Sequence, residues 1–235
     1  MGNFHLSLYN HKFPPIDIVY DDGLLAIYGD LSLERLIAAY KNGIFPWYNE
    51  NDPILWWCPD PRFALFPQNV HVSESMRKIL RREIFTIKID DDFKTIMTKC
   101  GELREQKGTW IIPEMIDAYT NLFNNGYAHC ISVYHNDELV GGLYGVNIGK
   151  IFCGESMFST MSNASKVAFI VMARLMVEHG IEVVDCQFET NHLFSLGGQN
   201  ISREQYLDIL KGNIEIKPNF TWKDWLQNRT TKDFV

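Results

Sequence analysis

The fold is decided by the stretch Ile181-Glu182-Val183-Val184-Asp185-Cys186-Gln187-Phe188-Glu189, which Gly180 separates from a long apolar segment. Its β-branched residues predict a strand, in which successive side chains point to opposite faces of a sheet. Alternation would bury one apolar face and present the intervening polar side chains together on the other: Asp185, Gln187 and Glu189. A carboxylate beside an amide at a strand end is a candidate site, although an ordinary solvent-facing strand gives the same pattern.

Composition narrows the class of protein. The chain has 235 residues, 46% of them hydrophobic, and a net charge of -7, as expected for a globular protein with one large domain or a large and a small one. Its five cysteines include no Cys-x-x-Cys pair, which favours free thiols in a reducing cytoplasm over a disulfide framework or a zinc site. The longest apolar run, 167–177, is too short to cross a bilayer and contains Arg174. We expect a cytoplasmic, monomeric protein with no membrane partner and no metal.

The order of predicted elements indicates a mixed α+β protein. Residues 1–62 are mostly irregular around one short helix capped by Ser32. From residue 63 the pattern becomes regular, with an antiparallel meander over 128–154 followed by the long apolar helix and the strand quoted above. Helices are predicted to begin at Asp91, at Pro113 and at Asn163 or Ser165. We therefore divide the chain into a small N-terminal domain, 1–62, and a larger sheet domain, 63–235.

A proline-rich aromatic loop is the most unusual part of the small domain. Residues 44–62 contain three of the six tryptophans together with four prolines, and the prolines argue against regular strand pairing. Most of these rings can be explained as packing between the two domains. An exposed tryptophan in a stiff loop could instead stack on a nucleic-acid base, which contributes roughly 1 to 3 kcal/mol per base.

A cluster of cations stands out on this acidic chain. Ser73 is a predicted N-cap, and the helix after it carries four basic residues within six positions: Arg77, Lys78, Arg81 and Arg82. The net charge argues against broad coating by nucleic acid, but a local patch of this kind can contact phosphates. A solvated helix face is the alternative interpretation.

The pattern of elements is compatible with two further classes of function. N-acetyltransferases use a mixed sheet of this kind, but their coenzyme A loop, Arg/Gln-x-x-Gly-x-Gly/Ala at a helix start, has no counterpart here, and the glycine cluster 141–145 lies in the meander. A non-catalytic adaptor that binds N-termini or tRNA is the second alternative. Retention of the Asp185 and Gln187 pair argues against it.

Ordered motifs from about residue 13 to residue 210 give the chain a specific resemblance. It resembles the leucyl/phenylalanyl-tRNA–protein transferase family in Gly29-Asp30-Leu31-Ser32, Gly43-Ile44-Phe45-Pro46-Trp47, Ile54-Leu55-Trp56-Trp57, Pro59-Asp60-Pro61-Arg62, Gly108-Thr109-Trp110-Ile111, Leu139-Val140-Gly141-Gly142-Leu143-Tyr144-Gly145, Gly154-Glu155-Ser156-Met157-Phe158-Ser159, Asn163-Ala164-Ser165-Lys166 and Asp185-Cys186-Gln187.

The resemblance implies an enzyme of the N-degron pathway without metal or coenzyme. Such an enzyme moves leucine or phenylalanine, and less readily methionine, from an aminoacyl-tRNA to the α-amine of a protein beginning with Arg or Lys, which is then degraded. The implied architecture is a small N-terminal domain beside a larger N-acetyltransferase-like (GNAT-like) domain.

The resemblance also assigns roles to residues. Asp185 and Gln187 match the family's catalytic pair; because an amide oxygen is a weak base, we expect Gln187 to orient the attacking amine and Asp185 to hold Gln187 or the incoming cation. The implied aminoacyl pocket consists of Leu143, Phe152, Glu155, Phe169, Met172 and Met176. The implied adenosine site consists of Trp47, Trp110 and Tyr119, and the basic cluster would contact the tRNA backbone.

Two points within that assignment stay open. The family favours aromatic residues where this chain has Met172 and Met176, which leaves the preference between leucine and phenylalanine undecided. Glu155 could either recognise the amino group of the aminoacyl ester or act as a buried hydrogen-bonding strut.

Overall fold

The computed structural model describes residues 4–103, 108–216 and 221–235. Its strands are β1 (His5–Leu6), β2 (Leu24–Tyr28), β3 (Phe45–Pro46), β4 (Leu55–Trp57), β5 (Arg62–Leu65), β6 (Thr86–Ile89), β7 (Ala128–His135), β8 (Glu138–Ile148), β9 (Ile151–Ser159), β10 (Val183–Gln187) and β11 (Gln199–Ile201). Its helices are α1 (Leu33–Lys41), α2 (Glu74–Arg81), α3 (Phe93–Glu102), α4 (Pro113–Asn124), α5 (Ala164–Glu178), α6 (Asn191–Ser195) and α7 (Arg203–Asn213).

The N-terminal part forms a four-stranded sheet with the order β1-β2-β4-β3. The prediction that the proline-rich loop lacks regular pairing was wrong, because Phe45 pairs with Trp57 and Pro46 with Trp56. Proline is tolerated there because β3 lies at the edge of the sheet, where a missing N–H group costs no ladder hydrogen bond.

The larger part is a seven-stranded mixed sheet with the order β11-β5-β10-β9-β8-β7-β6. The predicted antiparallel meander is confirmed as β7-β8-β9, and β10 adds in parallel to β9 and antiparallel to β5. The predicted α+β class, with a larger mixed sheet, is therefore confirmed, whereas the N-terminal part, expected to be mostly irregular, contains a sheet of its own. The small sheet's last strand ends at Trp57, and the large sheet begins with β5 at Arg62.

Both faces of the large sheet are covered, as hydrophobic residues on two faces of a strand require. One face carries Tyr144 and Cys153 and packs with α3, α4 and the small sheet, whereas the other carries Leu143 and Phe152 and packs against α5. Helix α5 is mostly apolar, and ten of its fifteen residues are buried. Among the described residues, none of the helices combines the length and hydropathy that a membrane crossing requires.

The starts of the helices agree with the sequence in two of three cases. Pro113 is the first residue of α4, and Asn163 precedes α5. The prediction for α3 was one residue off: Asp92 caps this helix by accepting a hydrogen bond from the Thr95 amide at 3.2 Å. Asp91 instead accepts from the Tyr134 hydroxyl at 2.8 Å.

Candidate active site

The site is created where two parallel strands separate. Strands β9 and β10 are paired only as far as Cys153 and Asp185, after which β9 continues beside β8 and β10 beside β5. Each strand also shifts its register here, leaving Glu155 and Cys186 as unpaired extra residues, and Gln187 adopts a φ of 64°. Such bulges re-aim side chains. Across the gap, the Gln187 side-chain amide donates to the Glu155 carboxyl at 3.0 Å.

The bulge in β10 corrects the predicted alternation. Val184, Cys186 and Gln187 all line one cavity, whereas the fully buried Asp185 does not line it. Glu189 lies beyond the end of the strand, so it does not share a strand face with the other two polar residues. The extra residue at Cys186 thus breaks the strict alternation, so that Gln187 lines the cavity together with Val184 and Cys186.

A cavity of about 460 Å³ opens beside the gap, a size within the range of small-molecule sites. Five of the six residues expected in an aminoacyl pocket line it: Leu143, Phe152, Glu155, Phe169 and Met172. Met176 is fully buried in the core and does not belong to the lining, because the cavity ends before this last turn of α5. The lining also includes Trp47, Trp110, Phe188 and His192. The Trp47 side chain is 43% exposed.

Glu155 is the centre of a buried hydrogen-bond network. Besides Gln187, the Tyr40 hydroxyl donates to its carboxyl at 2.8 Å and the Tyr119 hydroxyl at 3.3 Å. The two tyrosine hydroxyls also hydrogen-bond to each other. Tyr119 is therefore fully buried beneath Glu155, and the structure does not place it at the cavity surface with Trp47 and Trp110, as the adenosine-site expectation required.

Burial raises the pKa of Glu155 from 4.5 to about 8. The hydrogen bond from Tyr40 opposes this rise in pKa, and the negative charge of Asp185 adds to it. Burial has a larger effect on this pKa than the hydrogen-bond donors have, because bonds from neutral hydroxyl groups compensate only in part for the hydration that a carboxylate loses. Near neutral pH the carboxyl is therefore mostly protonated. In that state it donates a hydrogen bond to the Tyr119 hydroxyl, in the reverse direction to the carboxylate form, and the Tyr119 hydroxyl donates to Tyr40.

Asp185 belongs to a buried ion pair. Its two carboxylate oxygens accept from Arg62 Nε at 2.8 Å and Arg62 Nη2 at 2.6 Å, and the Tyr206 hydroxyl adds a bond at 2.9 Å. The same carboxylate accepts from the backbone amide of Gln187 at 2.9 Å. This bond fixes the left-handed backbone conformation of Gln187, so Asp185 holds Gln187 through its backbone. All the hydrogen bonds described for the Asp185 carboxylate go to groups other than those that line the cavity with their side chains.

The basic cluster lies on α2, outside the cavity. Ser73 caps this helix as predicted, accepting from the Met76 amide at 3.3 Å. Arg77 is half-buried and pairs with Glu74 at 3.5 Å. The exposed members of the cluster are Lys78, Arg81 and Arg82.

Sequence reasoning missed the partners that organise the site. Arg62, Tyr40 and Tyr206 are all fully buried, and their side chains converge on Asp185 or Glu155 from distant parts of the chain. Arg62 offered a signal, since an arginine that follows Pro61 at the start of a buried strand needs an acidic partner. The two tyrosines lay on apolar helix faces and gave no such signal.

Comparison with known proteins first defines the class, a tRNA-dependent aminoacyltransferase. The family model described as "Leucyl/phenylalanyl-tRNA protein transferase" matches residues 64–211, and the model of that family's N-terminal domain matches residues 29–60. The enzyme of this name from Syntrophobacter fumaroxidans is 47% identical over 90% of this chain and 92% of its own length. The one from Nitrosospira multiformis is 50% identical over 85% and 87%.

These matches are long and strong enough to settle the family. The chain belongs to the leucyl/phenylalanyl-tRNA–protein transferase family, and it is an aminoacyltransferase.

Solved structures resemble the chain much more weakly. An aminoglycoside acetyltransferase from an uncultured soil metagenomic sample has a TM-score of 0.39 at 14% identity, covering 60% of this chain and 97% of that protein. The L-PGS structure from Bacillus licheniformis has a TM-score of 0.41 at 10% identity, covering 88% and 65%.

Proposed function

We propose that this enzyme transfers leucine or phenylalanine, and less readily methionine, from aminoacyl-tRNA to the α-amine of proteins that begin with Arg or Lys, marking them for N-degron proteolysis in the cytoplasm. The observation that carries the proposal is an apolar cavity with a polar edge, in a chain of this family. Phe152, Phe169 and Met172 supply apolar walls of a size suited to such side chains, and Gln187 stands at the edge. A methionine lining adapts to different apolar shapes, which fits a substrate set of this kind.

The proposed chemistry needs placement more than proton abstraction. The aminoacyl ester is already activated, and a free α-amine is partly neutral near pH 8, so holding amine and carbonyl together supplies much of the rate. In this proposal the Gln187 amide oriented by Glu155 faces the incoming amine, and Asp185 acts as a positioning residue through the Gln187 backbone. Trp47 and Trp110 offer ring surfaces for the terminal adenosine at the mouth of the cavity.

The central experiment follows labelling of a peptide from [14C]Leu-tRNA, Phe-tRNA and Met-tRNA. Peptides beginning with Arg or Lys should be labelled, whereas a matched peptide beginning with Ala and an N-acetylated Arg peptide should not. Gln187→Ala should lower turnover with little change in tRNA affinity. Labelling that ignores the first residue of the peptide would contradict the proposed substrate class.

The exposed cations of α2 are proposed to contact tRNA phosphates. Replacing Lys78, Arg81 or Arg82 by Ala should each lower the slope of log Kd against log salt by about 1. Lys94→Ala is the control, because Lys94 is exposed on α3 and already pairs with Asp117 at 3.4 Å. An unchanged salt dependence in all three α2 variants would remove the assignment.

A further inference from the structure

The C-terminal segment, residues 221–235, lies outside the range that the family model matches, yet it packs against the cavity wall. Its buried Trp222 ring lies 5.3 Å from the Phe152 ring, centroid to centroid. Phe152 lines the cavity, so the two rings form consecutive layers of one wall.

The structure holds Trp222 from several sides. Its indole N–H donates to Asn147 at 3.2 Å, and Asn147 is the cross-strand neighbour of Phe152. One stacked neighbour is His129 at 4.4 Å, and another is Trp225 at 3.9 Å. These contacts fix the position of the Trp222 ring, which in turn limits where the Phe152 ring can lie.

Phe152 has little freedom on its other side. A Cβ atom at Gly145 would lie 2.5 Å from the tip of the Phe152 ring, so the ring lies directly against the neighbouring strand's backbone. The Phe152 ring is therefore in contact with the Gly145 backbone as well as near the Trp222 ring, which leaves it little room to move away from the cavity. Protein interiors are packed closely enough that such a second layer limits the volume available to a ligand.

We propose that Trp222 is a positioning residue for amino-acid selectivity: by supporting Phe152, the C-terminal segment sets the size of the aminoacyl pocket. The proposal rests on the proposed function, because it assumes that the cavity holds the transferred amino acid. The proposal places one determinant of the preference between leucine and phenylalanine behind the cavity lining, in the layer of side chains that supports it.

The test compares Trp222→Leu and Trp222→Phe with wild type in transfer from Leu-tRNA and Phe-tRNA to an Arg peptide. The measured quantity is the ratio of kcat/KM for Phe to that for Leu, which does not depend on the fraction of active protein. Loss of ring volume behind Phe152 should raise this ratio by roughly 5- to 20-fold in Trp222→Leu, within the range that a change of a methylene or more gives in apolar pockets. Trp222→Phe should restore most of the wild-type ratio.

Trp225→Leu is the matched control, since Trp225 is as deeply buried, lies in the same segment and stacks on the Trp222 ring. Its ratio should shift much less than that of Trp222→Leu, because the Trp222 ring still fills the space behind Phe152. Binding of non-hydrolysable leucyl- and phenylalanyl-adenosine amides, measured by calorimetry, should show the same shift and thereby assign it to the pocket.

Three results would overturn the inference. An unchanged ratio in Trp222→Leu refutes the role of Trp222 while leaving the proposed function standing. An equal shift in Trp225→Leu shows a general loosening of the segment instead of a specific support. Failure of the wild-type protein to transfer either amino acid would refute the proposed function, and the inference with it.

Discussion

The buried carboxyl of Glu155 gives a pH dependence that can be measured in the absence of substrate. The perturbation is Glu155→Gln, which retains an oxygen acceptor for Tyr40 and Gln187 and supplies an amide donor for Tyr119. The substitution removes only the ability to ionise. Any difference in pH dependence between the two proteins therefore reports the titration of Glu155.

The sign follows from the raised pKa. Between the ordinary value of 4.5 and the folded value of about 8, the folded protein retains a proton that the unfolded chain has released. Stability consequently falls as pH rises through this window. At 1.36 kcal/mol per pKa unit, wild type should lose about 2 to 3 kcal/mol relative to Glu155→Gln between about pH 6 and about pH 9. For a chain of this length that corresponds to a relative Tm shift of roughly 5 to 10 °C.

The assay is thermal or urea unfolding of both proteins across that pH range, without tRNA or peptide. Glu114→Gln is the control, because Glu114 also accepts a hydrogen bond from a tyrosine, Tyr48 at 3.2 Å, but is exposed. It shows how much of any difference arises from replacing a tyrosine-bonded glutamate without its burial. Parallel curves for Glu155→Gln and wild type would refute the reasoning, since they would show that the three donors keep Glu155 ionised in spite of its burial.

Three further predictions concern the surroundings of the site. Arg62→Met should lower the free energy of unfolding by about 3 to 5 kcal/mol in urea titrations, because it leaves the Asp185 charge buried without its cation; a loss below 1 kcal/mol would contradict the buried ion pair. Gly145→Ala places a Cβ atom 2.3 Å from a backbone oxygen and 2.5 Å from Phe152, so we expect about 1 to 3 kcal/mol of destabilisation and slower transfer in the assays above. Because burial raises its pKa, the Cys186 thiol should react with iodoacetamide at pH 8 far more slowly in the native than in the urea-unfolded protein, as followed by mass spectrometry.

The sequence was most informative where local rules decide the structure. The meander, the N-cap Ser73 and the proline at the start of α4 follow from turn residues, a short polar side chain and a fixed φ, each of which acts within a few residues. The cavity wall was also accessible, because Phe169 and Met172 lie at helical spacing on α5.

The positions of the polar residues at the cavity, Gln187 and Glu155, could not be predicted in the same way. Strict alternation fails at Gln187 because β10 contains a single extra residue, and no short-range signal in Asp185-Cys186-Gln187 indicates a bulge. The same limitation applies to Glu155 in β9. The role of Trp222 was equally hidden, since it depends on contacts with strands about 70 residues away along the chain.

The two buried acids of the site differ in the groups that compensate for their loss of hydration. Asp185 has a cation, Arg62, which itself lies between the rings of Phe45 and Tyr206 at 4.8 and 4.6 Å. Glu155 has only neutral donors, and the charge of Asp185 opposes its ionisation. Two carboxyl groups in such different environments typically have separate roles. Since a protonated Glu155 cannot attract an ammonium group by charge, we interpret it as the strut that orients the Gln187 amide. The salt-bridged Asp185 fixes the backbone of the same residue, so we propose that both acids serve to position Gln187.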